Sequence, residues 1–169
     1  MANATSLLPS FLLLTFLFSL LVHSSEPKSD PDVVRKQFLD AHNAVRASHG
    51  LPPLGWSREM KYYAQWWADK QRVGCQLIHS ALDYGENIFW GEGNGWTATE
   101  AVEAWAAEEQ YYDYWTNTCM PGRDCTHYTQ IVWRTTTSVG CAKIKCDNGD
   151  TYIVCEYYPH GNVIGEWPY

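Results

Sequence analysis

The stretch from Val139 to Tyr158, VGCAKIKCDNGDTYIVCEYY, is where the fold is decided. Two runs rich in Val, Ile, Thr and Tyr, Val139 to Cys146 and Thr151 to Tyr158, flank Asp147-Asn148-Gly149-Asp150. Residues of that kind suit a pleated, half-buried surface, and Asn-Gly between such runs is a strong hairpin signal. The C-terminal part should therefore hold adjacent antiparallel strands. Tyr128 to Trp133 has a similar composition and reads as a further strand.

Towards the N-terminus the period becomes helical. Pro31 and Asp32 open a segment in which Val34, Phe38, Ala41, His42 and Val45 recur at three- and four-residue spacing until Gly50. After the linker Leu51-Pro52-Pro53, Ser57 can cap a second helix running to Gly74, with Met60, Tyr63, Ala64 and Trp67 on one face. Thr97-Ala98-Thr99-Glu100 has the form of a capping box and starts a third, continuing to Gln110. Helices first and strands later predict an α+β fold, with helices packed on an antiparallel sheet.

The first 24 residues contain no Asp, Glu, Lys or Arg, and Leu7 to Val22 is apolar apart from Pro9, Ser10, Thr15 and Ser19. The run is shorter than the ~20 apolar residues of a membrane-spanning helix. It ends in Val22-His23-Ser24, the small-residue pattern of a signal peptidase site. The expectation is a leader over 1–24 cleaved after Ser24, a polar lead-in over 25–31, and one domain over 32–169. The ending Trp167-Pro168-Tyr169 is neither a hydrophobic tail nor a retention signal, so secretion is expected.

All 12 basic and 19 acidic residues follow the leader, giving a net charge of −7. Nucleic-acid-binding modules carry a basic stripe, so nucleic acid is not an expected partner. The cysteines Cys75, Cys119, Cys125, Cys141, Cys146 and Cys155 also follow the leader. An even number in an exported chain reads as a disulfide framework, while structural zinc sites favour a paired C-x-x-C that is missing here. Spacing leaves the pairing open. The one N-x-T, Asn3-Ala4-Thr5, lies in the leader, so no N-glycan is expected on the mature chain.

Nine Trp and eleven Tyr are more than a domain of this size can bury, so some should line a groove, amphipathic at their tips. Candidate chemistry lies in four segments: Leu77-Ile78-His79-Ser80, Gly85-Glu86-Asn87, Trp105-Ala106-Ala107-Glu108-Glu109 and Thr126-His127-Tyr128-Thr129-Gln130. Two imidazoles and two carboxylates could hold a divalent metal or orient a polar ligand. Helical spacing does not choose between Glu108 and Glu109, since both lie beside Trp105. His42 shares a face with Phe38 and Val45 and reads as a packed histidine. His49 and His160, each next to Gly, read as exposed.

The order Ala41-His42-Asn43-Ala44-Val45-Arg46, His79-Ser80, Gly85-Glu86-Asn87, Trp105 with Glu108, Cys125-Thr126-His127-Tyr128-Thr129-Gln130-Ile131-Val132-Trp133, and Cys155 to Tyr169 resembles the plant pathogenesis-related protein 1 family. That family sits in the CAP superfamily of cysteine-rich secretory proteins, antigen 5 and pathogenesis-related 1 proteins. The resemblance implies an α-β-α sandwich with a cleft tetrad of His79, Glu86, Glu108 and His127, leaving Glu109 a bystander. It implies bridges Cys75–Cys146, Cys119–Cys125 and Cys141–Cys155. No cofactor is required by it, though zinc could sit in the cleft on His79 and His127.

The resemblance also implies a secreted, monomeric, non-enzymatic defence protein in the apoplast rather than the vacuole. Such a protein would bind sterol or another lipid and act on fungi or oomycetes, with the pathogen membrane as a further partner. The candidate lipid surface is Tyr111, Tyr112, Tyr114 and Trp115. Two alternatives follow from the same resemblance: release of the tail from Pro159 to Tyr169 as a signalling peptide, and a metal-dependent hydrolase at the His/Glu cleft. Two residues depart from the family pattern. Thr126 stands in place of Gly before the motif histidine, adding a β-branched side chain beside the cleft. Glu156 stands after Cys155 in place of an uncharged or basic residue, altering the approach to the tail.

Overall fold

The computed structural model describes Met1 and residues 30–169; the expected leader and nearly all of the lead-in lie outside the described residues. Three long helices among the described residues begin where the sequence predicts. In α1, Pro31–Ser48, Pro31 opens the first turn and the Asp30 carboxylate accepts from the Asp32 amide at 2.9 Å. In α2, Arg58–Gln71, the Ser57 hydroxyl accepts from the Met60 amide at 3.2 Å. In α3, Ala98–Ala106, both halves of the Thr97–Glu100 capping box form. The rest of that predicted helix tightens into a 3₁₀ turn over Ala107–Tyr111.

The described residues hold six strands, in chain order β1 Gly55–Trp56, β2 Gly85–Gly91, β3 Tyr112–Asp113, β4 Thr118–Cys119, β5 Ser138–Lys145 and β6 Thr151–Tyr158. The predicted hairpin is β5–β6, closed by a five-residue loop in which Cys146 N donates to Asp150 O at 2.8 Å and Gly149 adopts φ 98°. The main sheet has the order β1-β5-β6-β2, antiparallel except for the two-residue parallel pairing of β1 with β5. A separate small ribbon pairs β3 with β4.

Alternation along the strands builds the layers. On one face Val139, Cys141, Ile153, Cys155 and Tyr157 meet Phe38 of α1 and Ala101, Val102 and Trp105 of α3. On the other, Ile88, Ala142, Ile144, Tyr152 and Val154 meet Ala64 and Ala68 of α2. The result is the expected α-β-α sandwich. The three bridges are Cys75–Cys146, Cys119–Cys125 and Cys141–Cys155, with no free thiol.

Two elements differ most from expectation. Tyr128 to Trp133 is not a strand: Thr126–Ile131 forms α4. Its β-branched composition is overridden because tertiary partners satisfy both ends. Glu108 Oε2 accepts from the amides of His127 and Tyr128 at 3.1 and 3.3 Å, and Asp124 Oδ1 accepts from the Thr126 amide at 2.8 Å. At the other end the buried Arg46 guanidinium donates to Ile131 O and Trp133 O at 2.9 and 2.8 Å, and also to Pro52 O and Thr136 O. The longest unpredicted element is β2, whose full length pairs with β6. Its polar Glu86 and Asn87 break the apolar alternation that would have announced it.

Candidate functional site

The four tetrad residues fall into two similar arms. In the first, at the start of β2, Glu86 Oε1 accepts from His79 Nδ1 at 2.6 Å and from the Ser80 amide at 3.0 Å. In the second, Glu108 Oε1 accepts from His127 Nδ1 at 2.7 Å while Oε2 takes the two α4 amides. A carboxylate can only accept, so each imidazole carries its proton on Nδ1 when neutral and leaves Nε2 as a lone pair. That arrangement orients a ligating imidazole and raises its basicity.

The second arm is braced from two sides. The Trp105 ring lies nearly parallel to His127, 12° between planes at 6.3 Å between centroids, and its Nε1 donates to Ile88 O at 3.1 Å. Asn87 of β2, buried, donates to the His127 carbonyl at 3.0 Å and so ties α4 to the strand bearing Glu86. Glu109, which periodicity could not separate from Glu108, faces His49 instead at 3.4 Å.

Electrostatics distinguish the members of the cleft. The hydrogen bond to Glu86 raises the pKa of His79 against the opposing effect of burial, with the Asp124 charge helping. Burial works against ionised Glu86, but the hydrogen bonds from His79 and Ser80 outweigh it and hold the carboxyl below its usual range. Asp124 is lowered in the same way: its bonds with Thr126 and the His127 charge overcome desolvation. Sequence reading missed this residue. Its carboxylate gathers with Glu108 and His127, ligand atoms within 4.8 Å of one another, into a set able to hold a metal ion. Reading 128–133 as a strand hid it, because an acid two residues ahead of a helix is a first-turn acceptor and one ahead of a strand is not.

Other candidates take different places. His42 is packed as expected: Nδ1 donates to Phe38 O and Nε2 accepts from the Tyr157 hydroxyl, both at 2.7 Å. His49 is not exposed, since its side chain retains only 15% of its accessible surface, between Tyr128 and Tyr169; the aromatic tail folds back over it. Thr126 stands between the histidine cleft and the tail. Its hydroxyl donates to Asp124, and it lines a separate groove beside the tail.

That groove, about 270 Å³, runs between the aromatic loop and the tail, with Tyr112, Cys119, Trp133, Val163 and Ile164 among its walls. The loop aromatics divide. Tyr111 and Tyr112 are half-buried, Tyr112 donating to Asn117 Oδ1 at 2.7 Å. Tyr114 stacks on Tyr169 and donates to its carbonyl at 2.8 Å. Trp115 stands out at 88% exposed.

The tail is laced to the domain. Gly161 N donates to the buried Gln130 Oε1 at 2.9 Å, Thr129 Oγ1 to Asn162 Oδ1 at 2.6 Å, Asn117 Nδ2 to Glu166 O at 2.8 Å and Trp167 Nε1 to Tyr114 O at 2.8 Å. Pro168 is buried, and its carbonyl accepts from the Arg134 amide at 2.6 Å.

This sandwich, with its paired histidine–glutamate cleft and three bridges, defines a class. The model of the cysteine-rich secretory protein family (CAP) matches residues 39–157, and the chain belongs to that family. Within it, the chain is 51% identical over 136 residues to pathogenesis-related protein PR-1 of Medicago truncatula, covering 80% of this chain and 79% of that one. It is 45% identical over 166 residues to pathogenesis-related protein 1B of Nicotiana tabacum, covering 97% and 96%. Among solved structures, the crystal structure of NaASP2 with Zn2+ superposes with a TM-score of 0.67 at 26% identity, over 80% of this chain and 84% of that one.

Proposed function

We propose that this chain is a secreted, monomeric plant defence protein that acts by binding, holding a sterol or related lipid against the surface shared by the aromatic loop and the tail. One observation carries the reading. Trp115 and Ile164 are 88% and 101% exposed, Ile164 lines the groove, and Tyr114 and Trp167, hydrogen-bonded to each other, are partly exposed beside it in sequence. Apolar side chains held out in water around a groove are a binding surface awaiting an apolar occupant. Each CH₂ buried there contributes roughly 0.8 kcal/mol. The pathogenesis-related names of the relatives support a defence role, with the apoplast as the place of action and withdrawal of sterol from a fungal or oomycete membrane as the effect.

The test is saturable binding of a labelled sterol to the purified mature domain. Trp115→Ser with Ile164→Ser should weaken binding at least tenfold without altering the fold, since neither side chain is buried. His127→Ala should bind as wild type does. Absence of binding by folded wild type, or equal loss in the His127 variant, would defeat the loop assignment.

The cleft supports a second reading, a divalent metal site. The relative crystallised with Zn2+ and the gathering of Glu108, Asp124 and His127 favour it, with His79 Nε2 available from the other arm. A bound zinc would supply Lewis acidity to a polar ligand held between the two arms. Zinc titration by calorimetry should show one site, weakened by either His79→Ala or His127→Ala; unchanged affinity in both would remove it.

A further inference from the structure

Glu156, in the middle of β6, is fully buried, and neither carboxyl oxygen has a hydrogen-bond partner among the described residues. It sits directly opposite Glu86 in the antiparallel register of β2 and β6, on the same face of the sheet, so that the two carboxyls act on each other. Two ionised carboxylates have only acceptors to offer each other, so as a pair of anions they would be unpaired and repulsive in an apolar layer. One proton between them turns the contact into a short, charge-assisted hydrogen bond.

We propose that Glu156 is a positioning residue: it keeps a proton at neutral pH and donates it to Glu86, fixing the carboxylate that orients His79. The two arms then match. Glu108 is held by His127 Nδ1 and two backbone amides. Glu86 is held by His79 Nδ1, one backbone amide and, in place of the second amide, the Glu156 carboxyl. The inference concerns how His79 is aimed and does not depend on lipid or metal binding.

The surroundings give the proton to Glu156 rather than to Glu86. Glu86 already has His79 and Ser80 as donors, whereas Glu156 faces no cation. From β5 its neighbour in register is Gly140, whose Cα abuts the α2 backbone at Ser57 and Lys61 and leaves no room for a side chain. From β6 the nearby titratable groups are the Tyr152 hydroxyl, beside Trp67 of α2, and Tyr157, which donates to His42. From β2 there is only Glu86, with His79 beyond it. Burial, with the Glu86 charge adding to it, pushes the Glu156 carboxyl up to about 9.

Deprotonation therefore removes one of three donors from Glu86 and sets a second negative charge against it. The His79 arm loosens at alkaline pH, while the His127 arm, held by amides, does not.

The experiment is a histidine and carboxyl NMR titration of the metal-free mature domain. The Glu156 carboxyl carbon should titrate near pH 9, and His79 should lose its single Nδ1–H tautomer over the same range while His127 keeps its own. In Glu156→Gln the amide still donates to Glu86 and no longer titrates, so the His79 transition near pH 9 should vanish with the tautomer retained. In Glu156→Leu the tautomer should be mixed at every pH, with amide exchange of the β5–β6 core reporting that the domain remains folded. A Glu156 midpoint within about one unit of the ordinary carboxylate value, a His79 transition that persists in Glu156→Gln, or a high Glu156 midpoint with His79 unresponsive would each overturn the proposal.

Discussion

Arg46 shows how one residue can set the position of a site it never touches. Its guanidinium, 1% exposed, is spent on four backbone carbonyls, among them those that close α4. Each orphaned buried acceptor costs about 1–3 kcal/mol, so Arg46→Ala should lose about 3 kcal/mol or more in urea unfolding. Arg46→Lys should recover less than half, because a point ammonium cannot span four acceptors. His42 supplies a pH dependence. Burial lowers its pKa to about 4 from an ordinary 6.5, so the unfolded chain binds the proton more readily. The contribution of His42 is complete above pH 6.5 and is lost as pH falls towards 4, up to about 3 kcal/mol. Unfolding free energies at pH 7 and pH 4 should show the loss, reduced in His42→Gln. The packed role of His42 was legible from its helix face. Its partner Tyr157 was not, being 115 residues away. Nor was the burial of Glu156, because β6 is covered on both faces and offers no alternation to read.

At the scale of elements, caps and turns were the most legible features because their physics is local. The Pro31 start, the Ser57 and Thr97 caps and the Asn148-Gly149 turn all form from residues within a few positions of one another. The longest misread elements, α4 and β2, draw their stability from distant partners: Glu108 and Arg46 for the helix, β6 for the strand. The four cleft residues came from family resemblance, since no periodicity brings His79 to Glu86 or separates Glu108 from Glu109. The tail also answers to a distant partner. A Cβ on Gly161 would lie 2.6 Å from Trp133 Cγ, so Gly161→Val should lift the tail. Amide exchange should accelerate from residue 161 onward and limited proteolysis near Tyr158 should quicken, while the β5–β6 core stays protected. Unchanged exchange in the tail would show that it is held by its far end alone.

For the whole molecule, one bridge joins layers that sequence distance keeps apart. Cys75–Cys146 spans 71 residues and ties the end of α2 to the end of β5, whereas Cys119–Cys125 closes only six. Loop-closure entropy grows with span, so removing the first should cost about 2–4 kcal/mol and removing the second less, measured by denaturant unfolding of Cys→Ala pairs. That helices pack on an antiparallel sheet was legible once helices preceded strands; the α-β-α layering and the pairing of cysteines came from the resemblance, fifteen pairings satisfying the same count.

The laced tail has a consequence for any protease acting at Tyr158–Pro159. Its hydrogen bonds to Gln130, Asn117, Thr129 and Tyr114 do not depend on the peptide bond that precedes it. Cutting that bond removes the high effective concentration that the covalent link provides, and the tail becomes a ligand of its own parent domain. Scission and liberation are then separate events, the second governed by dilution and by competition from whatever else binds the peptide.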